Sequence, residues 1–264
     1  PRWVGDPMSM SPLRGDAVAK VHVPGGFPML TTAPQPTPAG PRDRPIETAD
    51  QPIRVLLVDD HPAVRRGARE LIDDQPDMRV AAQARSVDEA LGKLELGIDV
   101  AIVDYHLGDG RDGLWLAAHL KTLEPAPRVL IYSAFADGAL AITALIAGAD
   151  GLLGKEALGE ALCGAVRALA RGQHHLPAVT PPLAQALRSQ LAPSDQPIFG
   201  MLLHGIAPEL IAERLGITER ELHARRLSML RSLGTARGIP GPPTRARTPL
   251  DYERPARRPS HRTA

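Results

Sequence analysis

The fold is indicated most clearly by the sequence Ile53-Arg54-Val55-Leu56-Leu57-Val58-Asp59-Asp60, in which a short apolar run ends in two adjacent carboxylates. A second such run, Val100-Ala101-Ile102-Val103-Asp104, ends in a third carboxylate. Continuous apolar strands are typical of a parallel sheet that is covered on both faces. The carboxyl ends of such strands meet at one edge, where open α/β sheets bind ligands. We therefore expect Asp59, Asp60 and Asp104 to gather at that edge and to hold a hard cation, for which Mg²⁺ is the candidate.

The sequence around these runs alternates strand-like and helical patterns as far as about Gly172, and a lone Lys155 follows the last strand-like run. Strands are predicted near residues 53–58, 79–84, 99–103, 128–133 and 150–153, and helices near residues 62–74, 87–96, 112–123, 137–147 and 156–171. Ser86 is predicted to cap the second helix, with Glu89 completing a capping box and Gly97 ending the helix. Five βα repeats with short connections predict an α/β fold with a doubly wound, five-stranded parallel sheet.

Composition excludes several other classes of protein. The chain has 264 residues and a net charge of +1, so its overall charge gives no argument for nucleic-acid binding. A single cysteine, Cys163, rules out an intramolecular disulfide, and its Ala/Leu/Val-rich surroundings predict a small core residue in a reducing cytoplasm. No apolar run approaches the roughly 18 residues of a membrane span, and the N-terminus lacks a signal-peptide core, so we expect no membrane association.

Shifts in composition divide the chain into five segments. The predicted segments are a disordered Pro/Gly-rich extension (1–51), an α/β domain (52–172), a linker with a helix over 182–190 (173–190), a small all-α domain (191–236) and a disordered Arg/Pro-rich tail (237–264). Helices of the small domain are predicted near residues 194–204, 208–215 and 219–233. Between the last two, Gly216 permits a tight turn and Thr218 can cap the next helix, which predicts a helix-turn-helix. Arginines dominate the tail, which is either a solvated segment or a phosphate-binding arm.

The residues at the strand ends, taken together, resemble the signature positions of a response-regulator receiver domain. The matching residues are Asp59-Asp60, Asp104, Ser133 and Lys155. The run Val58-Asp59-Asp60-His61-Pro62-Ala63-Val64-Arg65-Arg66-Gly67 is similar to the start of receivers of the LuxR/NarL type, and Gly148-Ala149-Asp150-Gly151 precedes Lys155 as in that family. The resemblance implies a flavodoxin-like receiver in a cytoplasmic regulator, not an enzyme that acts on a diffusible substrate.

The resemblance also assigns roles to these residues. Asp104 is implied to accept a phosphoryl group from a phosphohistidine of a sensor histidine kinase. Lys155 is implied to pair with one phosphoryl oxygen and the Ser133 hydroxyl to donate to another, which draws the Ser133 loop inward and acts as the switch. The implied Mg²⁺ ligands are Asp60 directly, Asp59 through a water, Asp104, and the backbone carbonyl of His106.

Three other kinds of site fit the residues less well. A phosphate loop over residues 149–156 has Ala149 in place of the first glycine and Glu156 where Ser or Thr must hold Mg²⁺. A haloacid-dehalogenase-type phosphatase requires a second aspartate two residues after the nucleophile, where His106 stands. His61 and His106, without cysteines or a paired histidine spacing, do not predict a transition-metal site, and we expect both on the rim of the pocket.

One position departs from the family pattern within the receiver. Receivers usually carry Tyr or Phe in the fifth strand as a rotameric switch coupled to the hydroxyl residue, and Leu152 stands there. The phosphorylation chemistry does not require that ring. We expect the relay to the output face either to be weak or to use Tyr132 or Phe135 instead.

The C-terminal segment resembles the LuxR-type helix-turn-helix, chiefly over Gly205 to Glu219 and again over Leu230 to Gly234. The helix after Thr218 is then implied to lie in the major groove of DNA. The implied DNA contacts are Glu221, His223, Ala224, Arg225, Arg226 and Arg231. The match is degraded, because His223 replaces a usual lysine and Arg226 an apolar core residue. Since a buried, unpaired arginine is costly, we expect a rotated helix or an Arg226 side chain that extends outward.

These features predict a phosphorylation-dependent response regulator that binds promoter DNA, with phosphorylation promoting homodimer formation. The alternative is a phosphorylation-gated protein-interaction module whose degenerate helical domain does not bind specific DNA sequences.

Overall fold

The computed structural model of the protein describes residues 51–108, 112–157 and 159–234. The predicted extension (except Gln51) and the predicted tail lie outside the described residues. The strands are β1 (Ile53–Val58), β2 (Met78–Ala84), β3 (Val100–Asp104), β4 (Arg128–Ser133) and β5 (Gly151–Gly154). The helices are α1 (Pro62–Asp73), α2 (Val87–Leu91), α3 (Gly113–Leu120), α4 (Gly138–Ala147), α5 (Glu160–Ala170), α6 (Pro181–Arg188), α7 (Gln196–Leu203), α8 (Pro208–Leu215) and α9 (Glu219–Ser232).

The five strands form one parallel sheet in the order β2-β1-β3-β4-β5, which confirms the predicted doubly wound α/β fold. The strand order reverses between β1 and β3, the position where such sheets form a ligand crevice. In the strand register Val58 lies opposite Val103, and Asp104 lies opposite Tyr132. The residues that follow β1 and those that end β3 and β4 therefore emerge at the same level of the same edge.

Two apolar layers cover the sheet. One layer joins β1 and β3 to α1 and α5, and it includes Ile72, Tyr132 and Cys163. The other joins the opposite face to α3 and α4, and it includes Leu152. Cys163 is 2% exposed, which confirms its prediction as a core residue, and burial raises the pKa of its thiol.

The second predicted helix is shorter than expected. The α-helix stops at Leu91, and a single 3-10 turn over Leu94–Leu96 follows before Gly97, whose φ of +64° is in the left-handed region. The Ser86 hydroxyl caps the helix by accepting from the Glu89 N–H at 3.2 Å, as predicted. The Glu89 carboxylate accepts from the N–H of Arg85 at 3.0 Å, one residue before the N-cap that a capping box would use.

The C-terminal helices pack on the α/β domain through α4. Helices α6, α7 and α9 all contact α4, and α9 also contacts α3. The turn between α8 and α9 has the predicted geometry, since Gly216 has a φ of +63° and the Thr218 hydroxyl accepts from the Glu221 N–H at 3.1 Å. Buried Leu222 and Met229 of α9 belong to the same apolar cluster as the α4 side of the sheet. None of the helices in the described part of the chain has the length and apolar character that crossing a membrane requires.

Candidate functional site

The edge of the sheet brings together the acidic and basic residues that the sequence singled out. Asp59 and Asp60 follow β1, Asp104 ends β3, and Lys155 follows β5. Lys155 Nζ lies 2.8 Å from Asp59 Oδ2 and 2.8 Å from Asp104 Oδ2, so one ammonium group bridges carboxylates from two strands. The Lys155 N–H also donates to the carbonyl of Ser133 at 2.8 Å, which ties the end of β5 to the end of β4.

Burial makes this pocket electrostatically unusual. Asp104 is 4% exposed, and burial raises the pKa of its carboxyl although Lys155 opposes the shift. Burial alone would lower the pKa of Lys155, but its hydrogen bonds to Asp104 and Asp59 raise that pKa above its ordinary value. Lys155 is therefore charged at neutral pH. Three carboxylates against one ammonium leave a negative excess that favours a bound cation.

The donor set fits a divalent cation. Within the described residues, ligand atoms of Asp59, Asp60, His61 and Asp104 all lie within 4.8 Å of one another. Asp60 Oδ1 is buried, and its carboxylate faces His61, whose Nδ1 lies 2.7 Å from that oxygen. At Gly108 a Cβ would lie 3.2 Å from Asp60 Oδ2, so the glycine keeps space free beside that carboxylate. Carboxylate oxygens in such an open cluster are ligands typical of Mg²⁺.

The described residues on either side of the segment 109–111 lie close to Asp104. The Asp112 carboxylate caps α3 by accepting from the Trp115 N–H at 2.9 Å. A Cβ at Gly113 would lie 2.1 Å from the backbone oxygen of Asp104, so only glycine permits this approach. The His106 N–H donates to Asp104 Oδ1 at 3.4 Å, which is long for a hydrogen bond. The use of the His106 carbonyl as a metal ligand stays a prediction.

Ser133 is fully buried and bonds within its own loop. Its hydroxyl accepts from the N–H of Phe135 at 3.1 Å, while the Phe135 side chain is 75% exposed. Tyr132 packs in the α1 and α5 layer, and its hydroxyl donates to the Lys155 carbonyl at 3.5 Å. Leu152 packs in the opposite layer, on the side of α4. Of the two aromatic residues considered for the relay, Phe135 is the one whose backbone is hydrogen-bonded to the Ser133 hydroxyl, whereas Tyr132 packs on the opposite side of the sheet from α4.

The structure corrects the expectation for Arg226. This side chain is 7% exposed, and it neither extends outward nor lacks a partner, because its Nε donates to the carbonyl of Ile146 at 2.6 Å. Ile146 lies in the last turn of α4, where carbonyls have no partner within the helix and a cation is favoured. Gly148, with a φ of +88°, makes room for the guanidinium, since a Cβ there would lie 2.3 Å from one of its nitrogens.

The remaining candidate DNA contacts differ in how far their side chains are exposed to solvent. His223 is half-buried near His119 of α3, and burial, together with the charges of Arg226 and His119, lowers its pKa to about 4. Ala224 is exposed and Arg231 is half-buried. Arg225 is half-buried and pairs with Glu221 at 3.1 Å. In this arrangement Arg226 is directed towards the receiver, and the contact of these residues with DNA stays a prediction.

Sequence reasoning missed a buried ion cluster at the opposite edge of the sheet. Asp150 lies 2.8 Å from Lys121 Nζ and 3.2 Å from Arg128, and it accepts from the Val129 N–H at 2.7 Å. Burial opposes ionisation, but the two cations and the backbone donor hold the pKa of Asp150 below its ordinary value. A charged residue directly before a buried strand was the available signal.

Comparison with known proteins identifies the family of the chain. A family model described as the response regulator receiver domain matches residues 55–167. The nitrate/nitrite response regulator protein NarL of Escherichia coli (strain K12) is 31% identical over 195 residues, which cover 69% of this chain and 90% of NarL. The DNA-binding transcriptional activator DevR/DosR of Mycobacterium tuberculosis is 31% identical over 196 residues, which cover 70% of this chain and 90% of DevR/DosR. The transcriptional regulatory protein UhpA of Salmonella typhimurium is 33% identical over 189 residues, which cover 71% of this chain and 94% of UhpA. The chain belongs to the NarL-type family of response regulators.

Proposed function

We propose that the chain is phosphorylated on Asp104 by a sensor histidine kinase and regulates transcription by binding promoter DNA. The observation that carries the proposal is the bridge from Lys155 to Asp59 and Asp104, at 2.8 Å each, in a buried pocket at the switch point of the sheet. Burial makes the Asp104 carboxylate more basic and hence a better nucleophile, while Lys155 is placed to neutralise charge on an incoming phosphoryl group.

The proposed reaction is a phosphoryl transfer. A carboxylate oxygen of Asp104 forms a bond to phosphorus as the bond from phosphorus to the kinase imidazole breaks. The imidazole carries a proton on its other ring nitrogen and therefore leaves as a neutral molecule. Phosphoryl transfer depends mostly on positioning and charge neutralisation, which the residues around Asp104 provide. Mg²⁺, held by Asp59, Asp60, Asp104 and the His106 carbonyl, would supply further positive charge at the phosphoryl oxygens. The Ser133 hydroxyl, which donates to the Phe135 carbonyl at 3.4 Å, would then donate to a phosphoryl oxygen instead.

DNA binding is the second part of the proposal, with residues 52–172 as the receiver, 173–190 as the linker and 191–236 as the output domain. The α8–turn–α9 geometry supports a helix-turn-helix in which α9 enters the major groove. In the structure α9 contacts α3 and α4, so the DNA-facing helix is partly covered. We infer that phosphorylation displaces the Ser133 loop at the start of α4, weakens the contact of α4 with α9, and frees α9 and a surface for homodimer formation.

A second candidate function is favoured by the burial of Arg226. Its guanidinium bonds the receiver, and His223 is held neutral beside it. If α9 never leaves this position, the chain is a phosphorylation-gated module that binds another protein.

The proposal is tested by incubating the full chain with a small acyl phosphate and Mg²⁺, and by locating the phosphoryl group by mass spectrometry. We expect one hydroxylamine-labile phosphoryl group in the wild type and none in Asp104→Asn. Lys155→Gln should slow the reaction by a factor of about 100, the scale of losing one charge-stabilising group. Labelling that persists in Asp104→Asn would refute the assignment of the acceptor.

A further inference from the structure

His61 is oriented towards the acidic pocket by the start of α1. Pro62 occupies the first turn of the helix and holds the preceding residue in extended conformation, so His61 has φ −83° and ψ 111°. The His61 N–H donates to Asp59 Oδ1 at 2.7 Å, which fixes the backbone against the carboxylate. The imidazole does not cap the helix; instead, its Nδ1 lies 2.7 Å from Asp60 Oδ1 and 3.5 Å from Asp59 Oδ1.

These distances are close to those of an octahedral set of ligands, and the 2.7 Å between Nδ1 and Asp60 Oδ1 is also a hydrogen-bonding distance. Ligand atoms about 2.1 Å from a common ion are about 3.0 Å apart when adjacent and about 4.2 Å apart when opposite. The Nδ1 atom of His61 lies near the adjacent spacing from both aspartate oxygens. The four ligand atoms of Asp59, Asp60, His61 and Asp104 span at most 4.8 Å, close to the opposite spacing. One ion could therefore contact the imidazole and the carboxylates after shifts of a few tenths of an ångström.

We propose that His61 is a direct nitrogen ligand in the metal site and makes the site prefer a divalent first-row transition metal, such as Mn²⁺, over Mg²⁺. This inference rests on the acidic metal site of the proposed function and adds a ligand to it. An imidazole adds little to the binding of Mg²⁺, which prefers oxygen, whereas it strengthens the binding of Mn²⁺ and of the later metals. The His61 side chain is 66% exposed, so its ring is free to adjust to the ion.

The sequence alone argued against this possibility because His61 and His106 are not spaced as a ligand pair. The structure separates the two histidines, since His61 belongs to the ligand cluster and His106 does not. A second histidine is not required, because three carboxylates complete the set with His61.

The test compares Mg²⁺ and Mn²⁺ binding by calorimetry in the full chain and in His61→Ala, His174→Ala and Asp60→Ala. His174 is an exposed histidine in the predicted linker and lies outside the cluster. We expect His61→Ala to weaken Mn²⁺ binding by about tenfold and Mg²⁺ binding by less than about twofold, the scale expected for a tuning ligand. The His174→Ala variant should bind both metals like the wild type.

Pulsed electron paramagnetic resonance on the Mn²⁺ complex separates a ligand from a neighbour that only hydrogen bonds. We expect nitrogen couplings of a coordinated imidazole in the wild type and in His174→Ala, and their loss in His61→Ala. Couplings that persist in His61→Ala, or equal losses for both metals, would overturn the inference while leaving the acidic site intact. Asp60→Ala should lose both metals; if it retains both, the acidic site of the proposed function fails, and the role of His61 with it.

Discussion

Replacement of Arg226 by Met should open the contact between α9 and the receiver. Methionine keeps most of the apolar length of the side chain but removes the donor that bonds the Ile146 carbonyl at 2.6 Å. Arg226 is 7% exposed, so the carbonyl would be left without this partner in a largely dry contact. An unsatisfied buried polar group costs about 1–3 kcal/mol, which corresponds to a shift of about 5- to 150-fold in the equilibrium between docked and undocked α9.

Hydrogen exchange read out by mass spectrometry measures this shift directly. Peptides from α9 and from the last turn of α4 should exchange about 5- to 150-fold faster in Arg226→Met, the range set by the lost bond. Peptides from β1 and β3 should keep their wild-type rates. The fluorescence of Trp115 provides a second probe of the face of α3 and α4, because its ring stacks on that of His119 with 5.3 Å between the ring centroids. A Trp3→Phe background removes the signal of the other tryptophan.

Arg220→Met is the matched control, because Arg220 lies on the same helix but is exposed. This variant loses the same charge and should exchange like the wild type. Two results would contradict this role of Arg226: exchange in Arg226→Met no faster than in the wild type, or equal opening of the contact in Arg220→Met. Either result would mean that the bond to Ile146 does not hold α9 in place.

Three further substitutions test the acidic pocket, the ion cluster at the opposite edge of the sheet, and the switch. Burial raises the pKa of Asp104, so the ionised carboxylate destabilises the metal-free fold above that pKa, and this penalty fades as the pH falls. Asp104→Asn removes the ionised group and should therefore raise the melting temperature at pH 7 by about 2 °C, as measured by calorimetry. The pKa of Asp150 is lowered, so its stabilisation is present above the ordinary carboxyl pKa and disappears as pH falls through the folded-state value. Asp150→Asn should therefore lower the free energy of unfolding, measured by chemical denaturation, by about 3–5 kcal/mol at pH 7. The difference in this free energy between variant and wild type should be smaller below pH 3.8. Ser133→Ala should still be phosphorylated but should not show faster exchange in α9 on phosphorylation; a wild-type response would remove Ser133 from the switch.

Much of the receiver could be predicted from sequence because its signals are local and strong. Five apolar runs predicted the strands, and their order along the chain placed Asp59, Asp104 and Lys155 at one edge, where the structure has them. The end of the second helix was misjudged because its apolar pattern continues through a 3-10 turn as far as Leu96. Periodicity alone does not distinguish a helix from a helix followed by such a turn.

The docking of α9 could not be predicted from sequence because it depends on contacts between distant residues. Arg226 stands at an apolar position of the helix pattern, and its partner Ile146 is 80 residues away. The partner is a backbone carbonyl, which no residue type identifies. The ring orientation of His61 could not be predicted from sequence for a similar reason, since it depends on the three-dimensional position of Asp60 relative to the start of α1.

Fluorescence anisotropy on the protein's own promoter and on scrambled DNA measures whether phosphorylation of Asp104 controls DNA binding. The full chain and Asp104→Asn are titrated with and without Mg²⁺ and beryllofluoride, a mimic of the phosphoryl group, at a fixed salt concentration. We expect tighter, promoter-selective binding that requires both the mimic and Asp104. Equal, weak binding to both DNAs in every state would contradict it and would favour a protein partner for α9.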